Sequence, residues 1–470
     1  MVFSSLIFLY LFLPVCLLCY GLFPSLRAKN AVLILFSLVF YAWGEPFYIL
    51  LLLGSVLINY LLGLGIGKAQ QQNHPKLAGF WCGTSLVFNI GLLGVFKYSG
   101  FIVENLNLIP YIELPVPTIT LPIGISFYTF QILSYIIDLY WGNVKVQRSP
   151  FRFLLYIAMF PQLVAGPIVR YSAIEQEIQE RHVTLTDFSN GITRLILGLS
   201  KKVILANHLS AIVDSFFGGD ISQISVLGTW YTVIVYAMQI YFDFSGYSDM
   251  AIGMGYLFGF HFDENFRHPF LCRDISEFWQ RWHISLGSFF RDYLLYIPIF
   301  GKRRKYGGLF LVWFCTGLWH GASWNYVIWG LYFGLFIFFE QLIGKKRIRK
   351  IPLVLRHISS KIIIFIGFGI FYFEDFDRLL QFFRNLVGCN GNKLSDPLVL
   401  LSMQNYCWLL LAAVVCCFPI YDGLQKLKLR HSGLALAISS GQVIANVLLL
   451  LTSSILLVDA TNNPFLYFRF

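Results

Sequence analysis

Two of the nine histidines stand where an imidazole could act on an acyl group. His320 follows Gly317-Leu318-Trp319 and precedes Gly321, within an apolar stretch (307–339) that holds no Asp, Glu, Lys or Arg. His283 closes the run Phe278-Trp279-Gln280-Arg281-Trp282-His283. Desolvation opposes protonation of an imidazole, so in an apolar cavity the ring stays neutral near physiological pH. A neutral ring can take the proton of a hydroxyl as that oxygen attacks a thioester, a contribution of about 10²–10⁴-fold. An ionisable side chain at membrane depth points to function because its burial is costly. The competing reading of His320 is a hydrogen-bonded core histidine, and periodicity alone leaves His283 equally an interfacial residue.

Other groups are less specific. Tyr241-Phe242-Asp243-Phe244-Ser245-Gly246-Tyr247-Ser248-Asp249 puts two carboxylates into apolar sequence, where they need partners or water. A proton relay and a hydrogen-bonded anchor for a kinked helix both fit. His261, Asp263, Glu264 and His268 are metal-ligand types. They lack the two histidines one turn apart of a zinc helix, and no metal site is expected. His74, His182, His208, His357 and His431 lie in polar, basic or weakly apolar connections. No phosphate-binding loop, nucleophile elbow or kinase signature occurs. The cysteines sit mostly in apolar stretches without zinc-type spacing, and no structural disulfide is expected.

The elements that must hold these residues follow from composition. The chain has 470 residues, 57% apolar, 18% aromatic and only 13% charged, with 47 phenylalanines. A soluble chain carries about one quarter charged residues, so a soluble enzyme, a disordered chain and a coiled coil are excluded. The net charge of +11 fits the positive-inside rule and anionic headgroups. No basic run is interleaved with base-stacking aromatics, and no nucleic-acid partner is expected.

Charge-free stretches long enough to cross a bilayer occur at 46–67, 77–96, 114–137, 153–169, 221–242, 307–339, 397–421 and 432–458. Shorter apolar runs lie at 31–44 and 362–373. No charge precedes Arg27, so the N-terminal stretch is expected to be a retained first span. The reading is one polytopic all-α membrane domain over 1–470, with about 11–13 membrane-associated helices. No internal repeat supports an inverted-repeat transporter. Arg27 and Lys29 in the first loop, with Lys68 and Lys76 in the third, place those loops in the cytoplasm and the N-terminus outside.

Two local expectations bear on the histidines. A helix over 307–339 would run about 50 Å, well beyond a hydrocarbon core of about 30 Å. The chain should break at Gly321 and Ser323, leaving His320 at an irregular point that must line a protein-enclosed cavity. Asp274 and Glu277 have capping-box spacing. From there Ile275, Phe278, Trp279, Trp282, Leu286, Phe289 and Phe290 fall on one face of an amphipathic helix. The basic runs Lys302-Arg303-Arg304-Lys305 and Lys345-Lys346-Arg347 with Arg349 and Lys350 fit topology anchors or a docking surface for a phosphate-bearing acyl donor.

With Phe278–His283, Thr316-Gly317-Leu318-Trp319-His320-Gly321, Phe160-Pro161-Gln162-Leu163-Val164-Ala165-Gly166-Pro167-Ile168-Val169-Arg170 and the segment from Asp243 to Gly253, the chain resembles the membrane-bound O-acyltransferase family nearly end to end. The likeness is to the bacterial branch of alginate and peptidoglycan O-acetylation, with its most specific region at about 120–340. The resemblance implies a helical shell around a central funnel or tunnel, with interfacial and re-entrant helices, in the bacterial cytoplasmic membrane. It implies that His320 is catalytic and that His283 is the second signature histidine, supporting or positioning substrate. Trp282, Trp319, Asp243 and Tyr247 become candidates for lining a tunnel or positioning substrate.

The resemblance further implies cytoplasmic acetyl-CoA as donor, with no permanently bound cofactor. The acetyl group would pass across the membrane, through a separate extracytoplasmic SGNH-type esterase-fold partner, to a polysaccharide hydroxyl. Competing readings are D-alanyl transfer to teichoic acid from a charged carrier protein, a lipid acyltransferase, and a proton-coupled transporter or flippase.

Overall fold

Backbone inside hydrocarbon must satisfy its own hydrogen bonds, and this chain does so with helices alone: the described residues contain no strand. The structure is a computed structural model that describes residues 2–164, 166–295, 305–389 and 391–458. Among the described residues, seven helices are long and apolar enough to span a bilayer: Leu26–Gly44, Tyr48–Gln71, Pro75–Leu106, Leu185–Phe217, Trp324–Ile343, Leu353–Tyr372 and Ser432–Val458. Pro397–Asn405 and Cys407–Cys416, bent by 65°, make an eighth if they are one broken span. Phe8–Leu22 is a shorter apolar helix, and Ile125–Trp141 and Lys305–His320 are also shorter than these spans. The chain is an all-α polytopic membrane protein.

The chain forms two compact units, Met1–Leu195 with Ser248–Glu264, and Ile196–Tyr247 with Asn265–Phe470. The first holds an aromatic knot in which Phe3, Phe8, Phe12 and Phe40 pack on Phe160. A buried amide network also lies there: Ser85 and Asn89 both donate to Asn59 Oδ1. The second unit contains both histidines of interest. Its relevant helices are Val226–Phe258 (α1, whose last residues, from Ser248, belong to the first unit), Ile275–Trp279 (α2), Ile284–Tyr293 (α3), Lys305–His320 (α4), Trp324–Ile343 (α5), Leu353–Tyr372 (α6) and Ile420–Arg430 (α7).

Several expected spans differ in extent. Of 114–137, only Ile125 onward is helical, because Pro115, Pro117 and Pro122 withdraw backbone donors. Gly124 starts that helix at φ +77, and a Cβ there would lie 2.7 Å from the Leu163 carbonyl oxygen. The expected span 153–169 is broken into Pro150–Ala158 and Phe160–Leu163, with Pro161 in the second piece. Conversely, 221–242 is too short. α1 runs 33 residues, straight through Asp243 and Asp249, since each carboxylate meets a cation: Lys202 at 2.5 Å and Arg194 at 2.9 Å. The anchor reading of these two aspartates therefore fits the structure, on a helix that continues past them.

Candidate active site

His283 is positioned by a break that the periodicity did not show. The expected amphipathic helix is two helices: α2 ends at Trp279, the chain turns, and α3 begins at Ile284. Apolar periodicity survives because Ile275, Phe278, Trp282, Leu286, Phe289 and Phe290 are all buried. Long-range backbone pairing interrupts the helix: Ile284 N–H donates to the Asn265 carbonyl at 3.0 Å, and Arg267 N–H to the Arg281 carbonyl at 2.9 Å. His283 itself takes φ +44, a left-handed conformation uncommon outside glycine.

Asn265 fixes the ring. Its Oδ1 accepts from the Ser285 backbone N–H at 3.3 Å and the Ser285 hydroxyl at 2.9 Å. A backbone N–H can only donate, so the Asn265 atom facing it is the oxygen. His283 Nδ1, 3.1 Å from the same oxygen, must then carry the proton. Nε2 keeps the lone pair, is buried, and has no hydrogen-bond partner among the described residues. The residue is 2% exposed, and burial pushes the imidazole down to about 3. It is neutral at physiological pH, as an acceptor must be.

The start of α2 is held by carboxylates. Asp274 accepts from Glu277 N–H at 2.8 Å, the expected cap. Glu277 reaches back to the Arg273 N–H at 3.0 Å, one residue earlier than a capping box requires. Burial alone would raise the Glu277 carboxyl, but hydrogen bonds from Arg273 and Arg281 hold it down to about 2. Glu340 of α5 accepts from Ile275 N–H at 2.7 Å and Ser276 N–H at 2.9 Å.

His320 ends α4, and the chain breaks at residues 321–323 before α5, where the sequence placed the interruption. Glycines let the two helices touch. A Cβ on Gly317 would collide with the Tyr326 carbonyl, one on Gly330 with the Trp313 carbonyl, and one on Gly334 would lie 3.0 Å from the Trp313 side chain. Small residues at such crossings are how membrane helices pack closely. The imidazole, 7% exposed, meets Trp329 and Phe371 edge to face at 4.8 and 5.2 Å between centroids. Asn325, at the start of α5, donates to the Ile370 and Phe371 carbonyls at 3.4 Å each, tying that end of α6 to the site.

Trp319 joins the two histidines. Its ring centroid lies 5.7 Å from His283 and 5.0 Å from His320. Phe244 also packs against His283, at 4.6 Å between centroids and perpendicular to it. Of the other expected residues, Trp282 packs in the aromatic core against Phe266, Phe368 and Phe278. Asp243 engages Lys202, and Tyr247 is buried one turn further along α1.

His261, Asp263, Glu264 and His268 do not converge. His261 Nδ1 lies 2.7 Å from Glu177, Glu264 pairs with Arg194, and His268 Nδ1 is 3.2 Å from the Cys417 carbonyl. No metal-holding cluster occurs among the described residues. Asn265 and Lys202 were missed. Asn265 sits in a short turn with no periodic signal, and nothing in the local sequence links Lys202 to a carboxylate 41 residues later.

The fold defines a multi-pass membrane protein with two imidazoles buried beside one tryptophan ring. The sequence model described as MBOAT, membrane-bound O-acyltransferase family, matches residues 144–373, which include both histidines. The probable alginate O-acetylase AlgI of Azotobacter vinelandii is 37% identical over the full length of both chains. The peptidoglycan O-acetyltransferase of Helicobacter pylori is 34% identical over 83% of this chain and 80% of its own. The teichoic acid D-alanyltransferase of Bacillus subtilis is 31% identical over 47% of this chain and 60% of its own. This chain belongs to the membrane-bound O-acyltransferase family, and it is an acyltransferase.

Proposed function

We propose that this enzyme takes acetyl from cytoplasmic acetyl-CoA and delivers it across the bacterial inner membrane for O-acetylation of a cell-envelope or extracellular polysaccharide. An extracytoplasmic SGNH-type protein would receive the group and complete the transfer. His320 acts as general base: its imidazole takes the proton of the attacking hydroxyl while oxygen bonds to the acetyl carbon. The carbon–sulfur bond then breaks, and the proton passes to the leaving thiolate. His283, whose Nε2 lone pair faces no protein donor among the described residues, accepts a hydrogen bond from the incoming group and orients it.

The observation that supports this most is the pair of buried imidazoles that both contact the Trp319 ring. The alginate- and peptidoglycan-modifying relatives support a glycan acceptor and acetyl as the group. The test is release of free CoA from acetyl-CoA by purified protein in nanodiscs, with water as a slow surrogate acceptor. Release that His320→Ala abolishes in a folded protein is expected. A His320→Ala variant with near-wild-type turnover overturns the role. Turnover only with a charged carrier protein would instead favour D-alanyl transfer, and substrate movement without thioester cleavage would favour a transporter.

A further inference from the structure

A cleft of about 590 Å³ opens in the second unit where α2, the end of α5 and the start of α6 meet. Its lining carries five cations, Arg273, Lys305, Lys345, Arg349 and Arg356, and three carboxylates, Asp274, Glu277 and Glu340. All three carboxylates are already occupied. Asp274 pairs with Arg356 at 2.8 Å, and Glu277 with Arg273 and Arg281 at 3.0 and 2.7 Å. Glu340 is spent on the backbone of α2. Lys305, Lys345 and Arg349 are left with no carboxylate partner among the described residues, and all three are exposed. Of the basic run before α4, residues 302–304 lie outside the described residues.

Position says what kind of anion these cations await. Lys345, Lys346, Arg347, Arg349 and Lys350 follow directly on the spanning helix α5, so they stand at headgroup level on the face that the positive-inside rule assigns to the cytoplasm. Beside them Leu342, Ile343, Ile351, Leu353 and Val354 are exposed apolar side chains. Cations at the interface, bordered by apolar surface running into the bilayer, match a phosphodiester attached to acyl chains. Basic pockets between membrane helices on this side recognise acidic lipid headgroups.

We propose that this cleft is a binding site for the phosphate of an anionic phospholipid. Lys345 and Arg349 hold the headgroup, Lys305 adds a third cation to the same lining, and the acyl chains lie over Leu342, Ile343 and Leu353. The site is separate from the aromatic cage of His320, and it does not depend on the identity of the acyl donor.

The test uses the full chain in nanodiscs of phosphatidylcholine containing a rising fraction of phosphatidylglycerol, with native mass spectrometry counting the phosphatidylglycerol retained after delipidation. Wild type should retain it selectively. Lys345→Gln with Arg349→Gln should bind it about 25-fold more weakly, at about fivefold per cation, with an unchanged melting temperature in detergent. The control Lys426→Gln with Lys428→Gln removes two basic residues of α7 and should leave retention intact. Equal retention by the cleft variant overturns the proposal, and so does equal loss in the control, which would make the effect general surface potential. Displacement of the lipid by soluble adenosine 3′,5′-bisphosphate would also overturn it, assigning the cleft to a nucleotide phosphate.

Discussion

Asn265 decides which nitrogen of His283 carries a proton: Oδ1 lies 3.1 Å from Nδ1 and also accepts from the Ser285 backbone. The orientation of the amide is fixed by a donor that cannot change role. Nε2 is therefore the lone-pair atom, and under the proposed mechanism Asn265 is a positioning residue.

Asn265→Ala should lower turnover about 5- to 150-fold, the rate equivalent of about 1–3 kcal/mol for a buried hydrogen bond left unmade. Asn265→Asp separates orientation from packing. A carboxylate against Nδ1 stabilises the imidazolium and raises the ring from about 3. The acid limb of the pH–rate profile should then move to higher pH. A profile unchanged in Asn265→Asp would remove Asn265 from the site.

Breaking the buried pair of Lys202 and Asp243 should cost far more than removing both. Both side chains are almost completely buried and 2.5 Å apart. Lys202→Met removes the cation that faces this buried carboxylate, and a loss of about 3–5 kcal/mol is expected. Lys202→Met with Asp243→Leu should recover most of it. Thermal unfolding of the single and double variants in one detergent gives the comparison.

Gly330→Leu should destabilise by about 1–3 kcal/mol through overpacking, because the Trp313 carbonyl occupies the space a side chain needs. Gly423→Ala in α7 meets nothing within 4 Å and should be neutral. The drop in melting temperature should be confined to Gly330→Leu, with loss of turnover alongside as His320 and Trp329 separate.

His261 gives a pH dependence of defined sign. Burial alone would lower the ring, but the hydrogen bond and charge of Glu177, then Asp187, hold it above its ordinary value. A raised value means the native state binds the proton more tightly, so the stabilisation is complete below about pH 6.5. It fades as pH rises through the folded value. The side chain is 46% exposed, so the effect is small. His261→Gln should lower the melting temperature at about pH 6 and barely at about pH 9. A difference that grows with pH would contradict the pairing.

Most of the membrane architecture was legible because its signal is compositional: long apolar runs and sparse charge are properties of the chain itself. The interruption at Gly321 was legible for the same reason, since a run of 33 residues exceeds the bilayer. The break before His283 was not. Ile275 through Phe290 keep a helical apolar period across it, and the cause lies at Asn265, 18 residues earlier. The span ending at Phe242 was cut short because Asp243 looks like a boundary until Lys202 is seen to neutralise it.

What the sequence determines by itself is an all-helical membrane protein of this family, with two histidine motifs in apolar surroundings. These follow from residue types and local spacing, which burial in lipid reads directly. What only the tertiary structure decides is that Trp319 contacts both imidazoles, that Nδ1 of His283 holds its proton, and that five cations line one cleft. Each depends on residues far apart in the chain meeting within a few ångströms, and hydrogen bonds and ring contacts of that range leave no periodic trace along a sequence.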